Sequence, residues 1–207
     1  MWENLEELLP KLEGRLLDIG CGIKPYEKLC KVEKYIGLEI EGVAGKKADY
    51  YYDGNRIPFE DKYFDSILST EVLEHVFNPD QFMREVNRVT KIGGKLVITV
   101  PFVWDEHEQP FDYARYSSYG LKYILNLYGF EVIEHRKTNN GLEAIFQLLN
   151  AYIYKKLCTK GKFLHIFTLL FFVFPINLLG LIFSKIFPRN DDLYIDNVVL
   201  AKKVKDV

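Results

Sequence analysis

Leu17-Asp18-Ile19-Gly20-Cys21-Gly22-Ile23-Lys24-Pro25 is an apolar run that ends in an acid and then in two glycines one residue apart. A buried parallel strand reads this way when it turns sharply beneath a bound ligand. Glycine lets the backbone approach where a Cβ would collide. Three segments follow at strand-like intervals: Tyr35-Ile36-Gly37-Leu38-Glu39, Asp53 ahead of Ile57-Pro58-Phe59, and Tyr63-Phe64-Asp65-Ser66-Ile67-Leu68-Ser69. A nicotinamide-binding turn also places glycines after a strand, but it requires Gly-x-Gly-x-x-Gly. Pro25 occupies the third place, so that fingerprint fails.

With 207 residues, 48% hydrophobic and 27% charged, the chain is long enough for one domain with a full core plus an insertion. A net charge of −2 gives no general attraction for nucleic acid. Cys21, Cys30 and Cys158 make an odd number at no metal-ligand spacing, the pattern of reduced thiols in a cytosolic protein. The segment Met1-Trp2-Glu3-Asn4-Leu5-Glu6-Glu7 lacks the basic and apolar regions of a signal peptide.

Leu5, Leu8, Leu9 and Leu12 have helical spacing, with acids early in the segment. Strands are expected at 15–19, 34–39, 48–52 and 64–69, the last a continuous apolar run of the kind covered on both faces. Asn78 with Pro79 opens a helix carrying Phe82, Met83, Val86 and Val89. Gly93 and Gly94 are expected to end it before a strand at 95–100. Ser117 caps a further helix that Gly129 closes, and strands follow at 130–133 and 194–201. Alternating strands and helices predict an α/β fold: a Rossmann-like, doubly wound, mostly parallel seven-stranded sheet. An apolar helical insertion precedes the last strand, and ligands belong beyond the strand carboxyl ends. The expected division is a core of residues 1–140 and 191–207 with an insertion of residues 141–190.

From about Leu16 to Ile133 these motifs resemble the class I S-adenosylmethionine-dependent methyltransferases, in a Gly-Cys-Gly-x-x-Pro-Tyr variant. The resemblance implies S-adenosylmethionine as cofactor and a site made from Asp18, Gly20, Cys21, Gly22, Glu39, Asp53, Gly54, Ser69 and Glu71. Gly20 and Gly22 would turn under the methionine part. Glu39 would accept hydrogen bonds from the ribose hydroxyls, and Asp53 would meet the adenine amino group. Glu71-Val72-Leu73-Glu74-His75 looks like the family's signature after the fourth strand, with His75 read as a structural partner. The Asn/Asp-Pro-Pro-Tyr of nucleobase amino methyltransferases is replaced by Ser69-Thr70-Glu71-Val72, and no Pro-Cys nucleophile stands in its place.

The loop Pro101 to Tyr116 would overhang the methyl donor. Its run His107-x-x-Pro110-x-Asp112-Tyr113-x-Arg115-Tyr116 resembles that of bacterial and archaeal methyltransferases associated with cell-surface polysaccharide synthesis. A sugar hydroxyl is a weak nucleophile, and an imidazole titrating near neutrality suits a general base. His107 and Asp112 are therefore the catalytic candidates, with Trp104, Tyr113, Arg115 and Tyr116 meeting the acceptor. The alternative is that His107, Asp112 and Arg115 simply fasten the loop. A metal site from Asp105, Glu106, His107 and Asp112 has no recognised spacing, and no metal is expected.

Residues 163–187 are almost wholly apolar. Pro175 splits them into halves of about 18 Å at helical rise, short of a bilayer core of about 30 Å. The expected form is two short helices in a hairpin broken at Pro175. It would lie on the inner face of the cell membrane, with basic flanks at Lys155 to Lys162, Lys185 and Arg189. The alternative is a homodimer contact or a second small core. The sequence thus reads as a cytoplasmic, peripherally membrane-bound methyltransferase acting on an oxygen of a glycan or lipid-linked saccharide. A prenyl quinone or other lipid as acceptor, and a non-catalytic membrane-bound binding module, are the rival readings.

Overall fold

The computed structural model describes the whole chain except residues 43, 44, 46 and 158–160, together with the side chains of residues 162 and 163. Cys158 and Lys160 lie outside the described residues, as do the side chains of Lys162 and Phe163. The strands are β1 Arg15–Ile19, β2 Lys34–Ile40, β3 Tyr50–Tyr52, β4 Phe64–Thr70, β5 Thr90–Pro101, β6 Phe130–Lys137 and β7 Asp196–Lys203. They form one seven-stranded sheet in the order β3-β2-β1-β4-β5-β7-β6. The pairs from β3 through to β5 are parallel. β6 and β7 run antiparallel: Val204 N–H donates to Gly129 O at one end and Thr138 N–H to Asp196 O at the other. The chain winds outward from β1 to β3, then restarts at β4 on the other side of β1. The crevice at the carboxyl ends of β1 and β4 is therefore the switch point where this architecture binds ligands.

Alternate residues of the central strands face opposite ways. Leu17, Ile19, Ile67, Leu96 and Ile98 join one core cluster, which also takes Phe82, Met83 and Val86. Leu16, Leu68 and Val97 join a second with Leu5, Leu8, Leu9 and Leu12. Helix α1 is Trp2–Leu8, α2 Pro79–Val89 and α3 Ser118–Leu127. Asn78 Oδ1 accepts from Gln81 N–H at 3.2 Å and caps α2. Ser117 Oγ accepts from Gly120 N–H at 3.2 Å and caps α3.

The glycines Gly93 and Gly94 do not end α2, which stops at Val89; they lie inside β5. There the β4–β5 register slips, with Phe64 opposite Thr90 but Ser66 opposite Lys95. A Cβ on Gly94 would come within 2.8 Å of Thr90 Cγ2 and 3.0 Å of Asp65 O, so the bulge needs glycine.

The chain divides into two compact units, residues 1–136 with 197–207, and residues 137–196. In the second unit, α4 Leu142–Leu157 packs on a long helix made of α5 Lys162–Thr168, a π turn Leu169–Val173 and α6 Phe174–Ile186. The expected break at Pro175 is not there. Proline removes one i→i−4 bond and its ring crowds the carbonyl four residues back. The π turn immediately before Pro175 opens the helix and absorbs both effects. The hairpin instead joins α4 to the long helix. Phe146 meets Gly180, where an added Cβ would lie 2.9 Å away, and Asn150 Nδ2 donates to Asn177 Oδ1 at 2.6 Å. The partners of 146 and 150 descend as α4 ascends, so the helices are antiparallel. The insertion is stitched at its root: Thr138 Oγ1 donates to Asp196 Oδ2 at 2.7 Å and Gly141 N–H to Leu193 O at 2.7 Å. The chain thus leaves and returns at one place.

Lys203 is completely buried in β7, with its ammonium donating to the carbonyls of Asn87 and Thr90, each at 2.8 Å, and facing Asp206 at 2.7 Å. Lys203→Met preserves the stem but strands two buried carbonyls, a loss of about 1–3 kcal/mol. A fall in the urea midpoint is the expected outcome; an unchanged midpoint would show that water replaces the ammonium.

Candidate functional site

β1 ends under a turn that the neighbouring strand holds in shape. Gly20 has φ +71°, and a Cβ there would lie 2.3 Å from Val72 Cγ2. Gly20 and Cys21 N–H both donate to Leu38 O at the end of β2. Gly22 N–H donates to Glu39 Oε2 at 3.0 Å, and Ile40 N–H to Glu39 Oε1 at 3.1 Å. Glu39 is only 7% exposed, so its charge sits against the turn and not in bulk water. The Cys21 thiol is buried and pushed up to about 12 by that burial, so this residue offers a ligand its backbone and not a thiolate.

Lys24 follows the two glycines and adopts φ +58° itself. Its Nζ reaches Asp49 Oδ2 at 2.6 Å, and the same oxygen accepts Gly37 N–H at 2.7 Å. A Cβ on Gly37 would lie 2.5 Å from Lys24 Cε and 2.7 Å from Cys21 Sγ. Gly37 and Asp49 therefore shape the turn, and sequence reasoning missed both. A glycine in the middle of an apolar strand was the available signal for Gly37; Asp49 offered none.

Asp18 is buried, and its Oδ2 accepts from the Tyr35 hydroxyl. Oδ1 has no hydrogen-bond partner, which leaves an acceptor at the floor of the crevice. Burial pushes the Asp18 carboxyl up to about 7, with the Tyr35 hydrogen bond pulling the other way. Ser69, one residue before the end of β4, has a buried hydroxyl that likewise has no partner. Glu71 follows at φ +53°, its N–H on Thr99 O at 3.0 Å and its carboxylate taking the Thr99 hydroxyl at 2.7 Å. Asp53 is exposed and folds a local turn, accepting from Asn55 N–H at 2.8 Å and Arg56 N–H at 3.3 Å, with Gly54 at φ +83°.

The loop after β5 is framed by Arg115. All five guanidinium N–H groups are engaged: by both Asp112 oxygens and by the carbonyls of Trp104, Asp105 and Ala114. Arg115 thus has no donor to spare in this arrangement, which corrects its assignment to the acceptor. Tyr116 is corrected too, because it is buried in the main core. Asp112 is 4% exposed, and its Arg115 hydrogen bonds hold its carboxyl far below the usual carboxylate range. It fastens the loop and orients His107, whose N–H it accepts at 3.0 Å and whose Nδ1 lies 3.4 Å away. Tyr113 is exposed and edges onto the exposed Phe77. Trp104 enters through its backbone carbonyl.

Tyr113 and Ala114 N–H both donate to Glu74 O, which seats the loop on the segment following β4. This brings the ring of His107 to 4.7 Å from that of His75. Glu74 beside them is completely buried, and neither of its carboxylate oxygens has a hydrogen-bond partner. Burial, with Glu71 adding to it, pushes its carboxyl up to about 8. His75 Nε2 lies 3.8 Å from Glu74 Oε1. In the sequence Glu74 and His75 read as signature and structural partner; their meeting with His107 is a product of the fold.

Residues 17–98 match the family described as "Methyltransferase domain". Among similar proteins, an uncharacterised protein of Methanocaldococcus jannaschii is 35% identical over 104 residues, covering 47% of this chain and 49% of that protein. Norajmaline N-methyltransferase of Rauvolfia serpentina is 32% identical over 112 residues, covering 46% and 38%. The chain thus spans about half, or less, of the length of these curated relatives. A solved structure of Haemonchus contortus phosphoethanolamine N-methyltransferase 2 with S-adenosyl-L-methionine has TM-score 0.58 at 19% identity, over 99% of this chain and 53% of that one. Residues 17–98 thus match a methyltransferase domain, the likeness to the solved structure shows a shared fold, and the Asp18–Glu39 crevice lies at the switch point where such sheets take ligands.

Two outcomes follow from the geometry. Gly37→Ala should displace Lys24 and Cys21 and weaken S-adenosylmethionine binding by tenfold or more while the thermal midpoint shifts far less; calorimetry with unaltered affinity would free the turn from this constraint. Asp18 binds its proton more tightly folded than unfolded, so the stability it contributes is complete below 3.8 and is lost as pH rises through about 7. Asp18→Asn should therefore gain on the wild type across that window in denaturant midpoints measured against pH.

Proposed function

We propose that this chain transfers a methyl group from S-adenosylmethionine to an oxygen of a glycan or lipid-linked saccharide at the inner face of the cell membrane. The observation that carries the reading is the glycine turn at the β1–β4 switch point, tied to a buried Glu39. A carboxylate so placed can receive both ribose hydroxyls, and each charge-assisted bond contributes roughly 1.5–3 kcal/mol. Catalysis rests on alignment of the sulfonium methyl with the acceptor oxygen. The groups on hand to manage the acceptor's proton are His107, His75 and Glu74, and Asp112 and Arg115 hold the loop that carries His107.

The lipid element of the proposal is supported by the hairpin. Residues Leu164–Ile186 form 23 residues of continuous apolar helix, of which the most apolar window is only 11% buried. Phe171, Phe174, Leu170, Leu181 and Ile186 are more than half exposed on it. At 1.5 Å per residue the long helix would reach across a bilayer core of about 30 Å, whereas the 16 residues of α4 reach about 24 Å. A hairpin stitched at its root enters and leaves on one side, and its shorter arm limits its depth. Contact with one leaflet fits these lengths, with the hairpin lying along the surface so that Lys155 and Lys156 at its tip and Lys185 and Arg189 at its root all reach anionic headgroups. The same apolar hairpin favours one second reading, methylation of a prenyl quinone or other membrane lipid. A binding module without turnover accords poorly with an intact set of Asp18, Gly20, Gly22 and Glu39.

Glu39→Ala should weaken S-adenosylmethionine binding by about tenfold or more in calorimetry; binding equal to the wild type would remove Glu39 from the site. Methyl-labelled cofactor supplied with cell membranes should place label in lipid-linked saccharide, whereas label in the neutral-lipid extract would establish the quinone or lipid reading. The protein should sediment with membranes and be released by detergent and little by salt, because the apolar area outweighs a few lysine contacts. Full recovery without detergent would point to a dimer contact.

A further inference from the structure

We propose that Glu74, His75 and His107 bind one divalent transition-metal ion, such as Zn2+ or Mn2+, on the acceptor side of the crevice. One ligand atom from each residue lies within 4.8 Å of the others. Two ligands each about 2.1 Å from an ion lie at most about 4.2 Å apart, so the cluster needs only a slight closing of its rings. His75 Nε2 lies 3.8 Å from Glu74 Oε1, too far for a hydrogen bond, and neither Glu74 oxygen has a partner.

The surroundings prepare each group as a ligand. His75 Nδ1 sits 2.8 Å from the Phe111 carbonyl, which can only accept, so Nδ1 carries the proton and Nε2 keeps its lone pair. His107 Nδ1 sits 3.2 Å from the Asp105 carbonyl and 3.4 Å from the Asp112 carboxylate, which places its proton on Nδ1 too. Metal-binding histidines characteristically donate the second ring N–H to a carbonyl or carboxylate in this way, which fixes tautomer and ring orientation. Beside the rings, Glu74 is completely buried with both oxygens unpartnered. A buried carboxyl without a hydrogen bond is costly, and a cation held jointly with two neutral imidazoles satisfies it. Two histidines and one carboxylate with open positions are the donor set of catalytic zinc and related divalent ions.

For what the ion does, the proposal rests on the methyl-transfer reading; for whether it binds, it does not. The acceptor hydroxyl takes an open position on the ion, which lowers its pKa, and the proton leaves to water. The oxygen then attacks the sulfonium methyl: the S–C bond breaks, the O–C bond forms, and the sulfur departs as a neutral thioether. The ion takes over the task that a lone histidine base would otherwise perform.

The test begins with the full chain stripped by chelator and titrated calorimetrically with Zn2+ and with Mn2+. One ion per chain is expected, with Co2+ giving the visible absorption of a low-coordinate nitrogen–oxygen site. His107→Ala, on the partly exposed loop, and Glu74→Gln should each weaken the ion at least about tenfold. Asp112→Asn should weaken it less, through the ring it orients. His107→Ala, the variant least able to disturb the core, keeps the test meaningful if Glu74→Gln fails to fold. Absence of stoichiometric binding to the wild type, or affinity unchanged in His107→Ala, would overturn the proposal. S-adenosylmethionine binding should survive the chelator; its absence with the metal present would instead sink the methyltransferase reading and leave the metal site standing.

Discussion

The hydrogen bond from the Gly22 amide to the buried Glu39 carboxylate joins the turn after β1 to the end of β2, beside the switch point between β1 and β4. Gly20 must have no side chain because Val72 occupies the space, Gly37 must have none because Lys24 and Cys21 fold across it, and Asp49 holds Lys24 in place. Substituting any one of these would move backbone N–H groups by more than a hydrogen bond tolerates. The turn is thus specified by packing from outside as much as by glycine's own freedom.

The crevice has two chemically distinct sides. On the cofactor side, Asp18 and Glu39 are buried yet partnered by Tyr35 or by backbone amides. On the other side, Glu74 is buried with no partner and faces two imidazoles. The difference arises because the loop after β5 lands on the segment after β4 through two amides on Glu74 O. Arg115 keeps that loop in one shape by filling every donor it has with the loop's own acceptors. A residue that reads in sequence as a substrate hand is, in three dimensions, the clasp that presents His107.

The second unit follows a separate logic. Asn150 with Asn177, and Phe146 against Gly180, lock its two helices together, while most of the other large apolar side chains among the described residues are a third or more exposed. Each exposed ring forgoes the roughly 1.5–3 kcal/mol by which burying a Phe or Leu stabilises a fold.

The architecture was legible in the sequence because it depends on local signals: apolar strand runs, Asn78 and Ser117 as caps, and glycine pairs at turns. Periodicity placed β1, β4 and both capped helices closely, and the glycine–acid pairs located the switch point. It misjudged Gly93, Gly94 and Pro175, since glycine and proline mark irregularity without saying which kind. A strand bulge and a π turn satisfy the same residues as a helix end and a hairpin break. Asp49, Tyr35 and the meeting of Glu74 and His75 with His107 were not legible, because contacts across tens of residues leave no periodic trace. The donor saturation of Arg115 and the burial of Tyr116 were decided by tertiary structure alone: which hydrogen bonds a side chain makes depends on what the folded chain brings within about 3 Å of it.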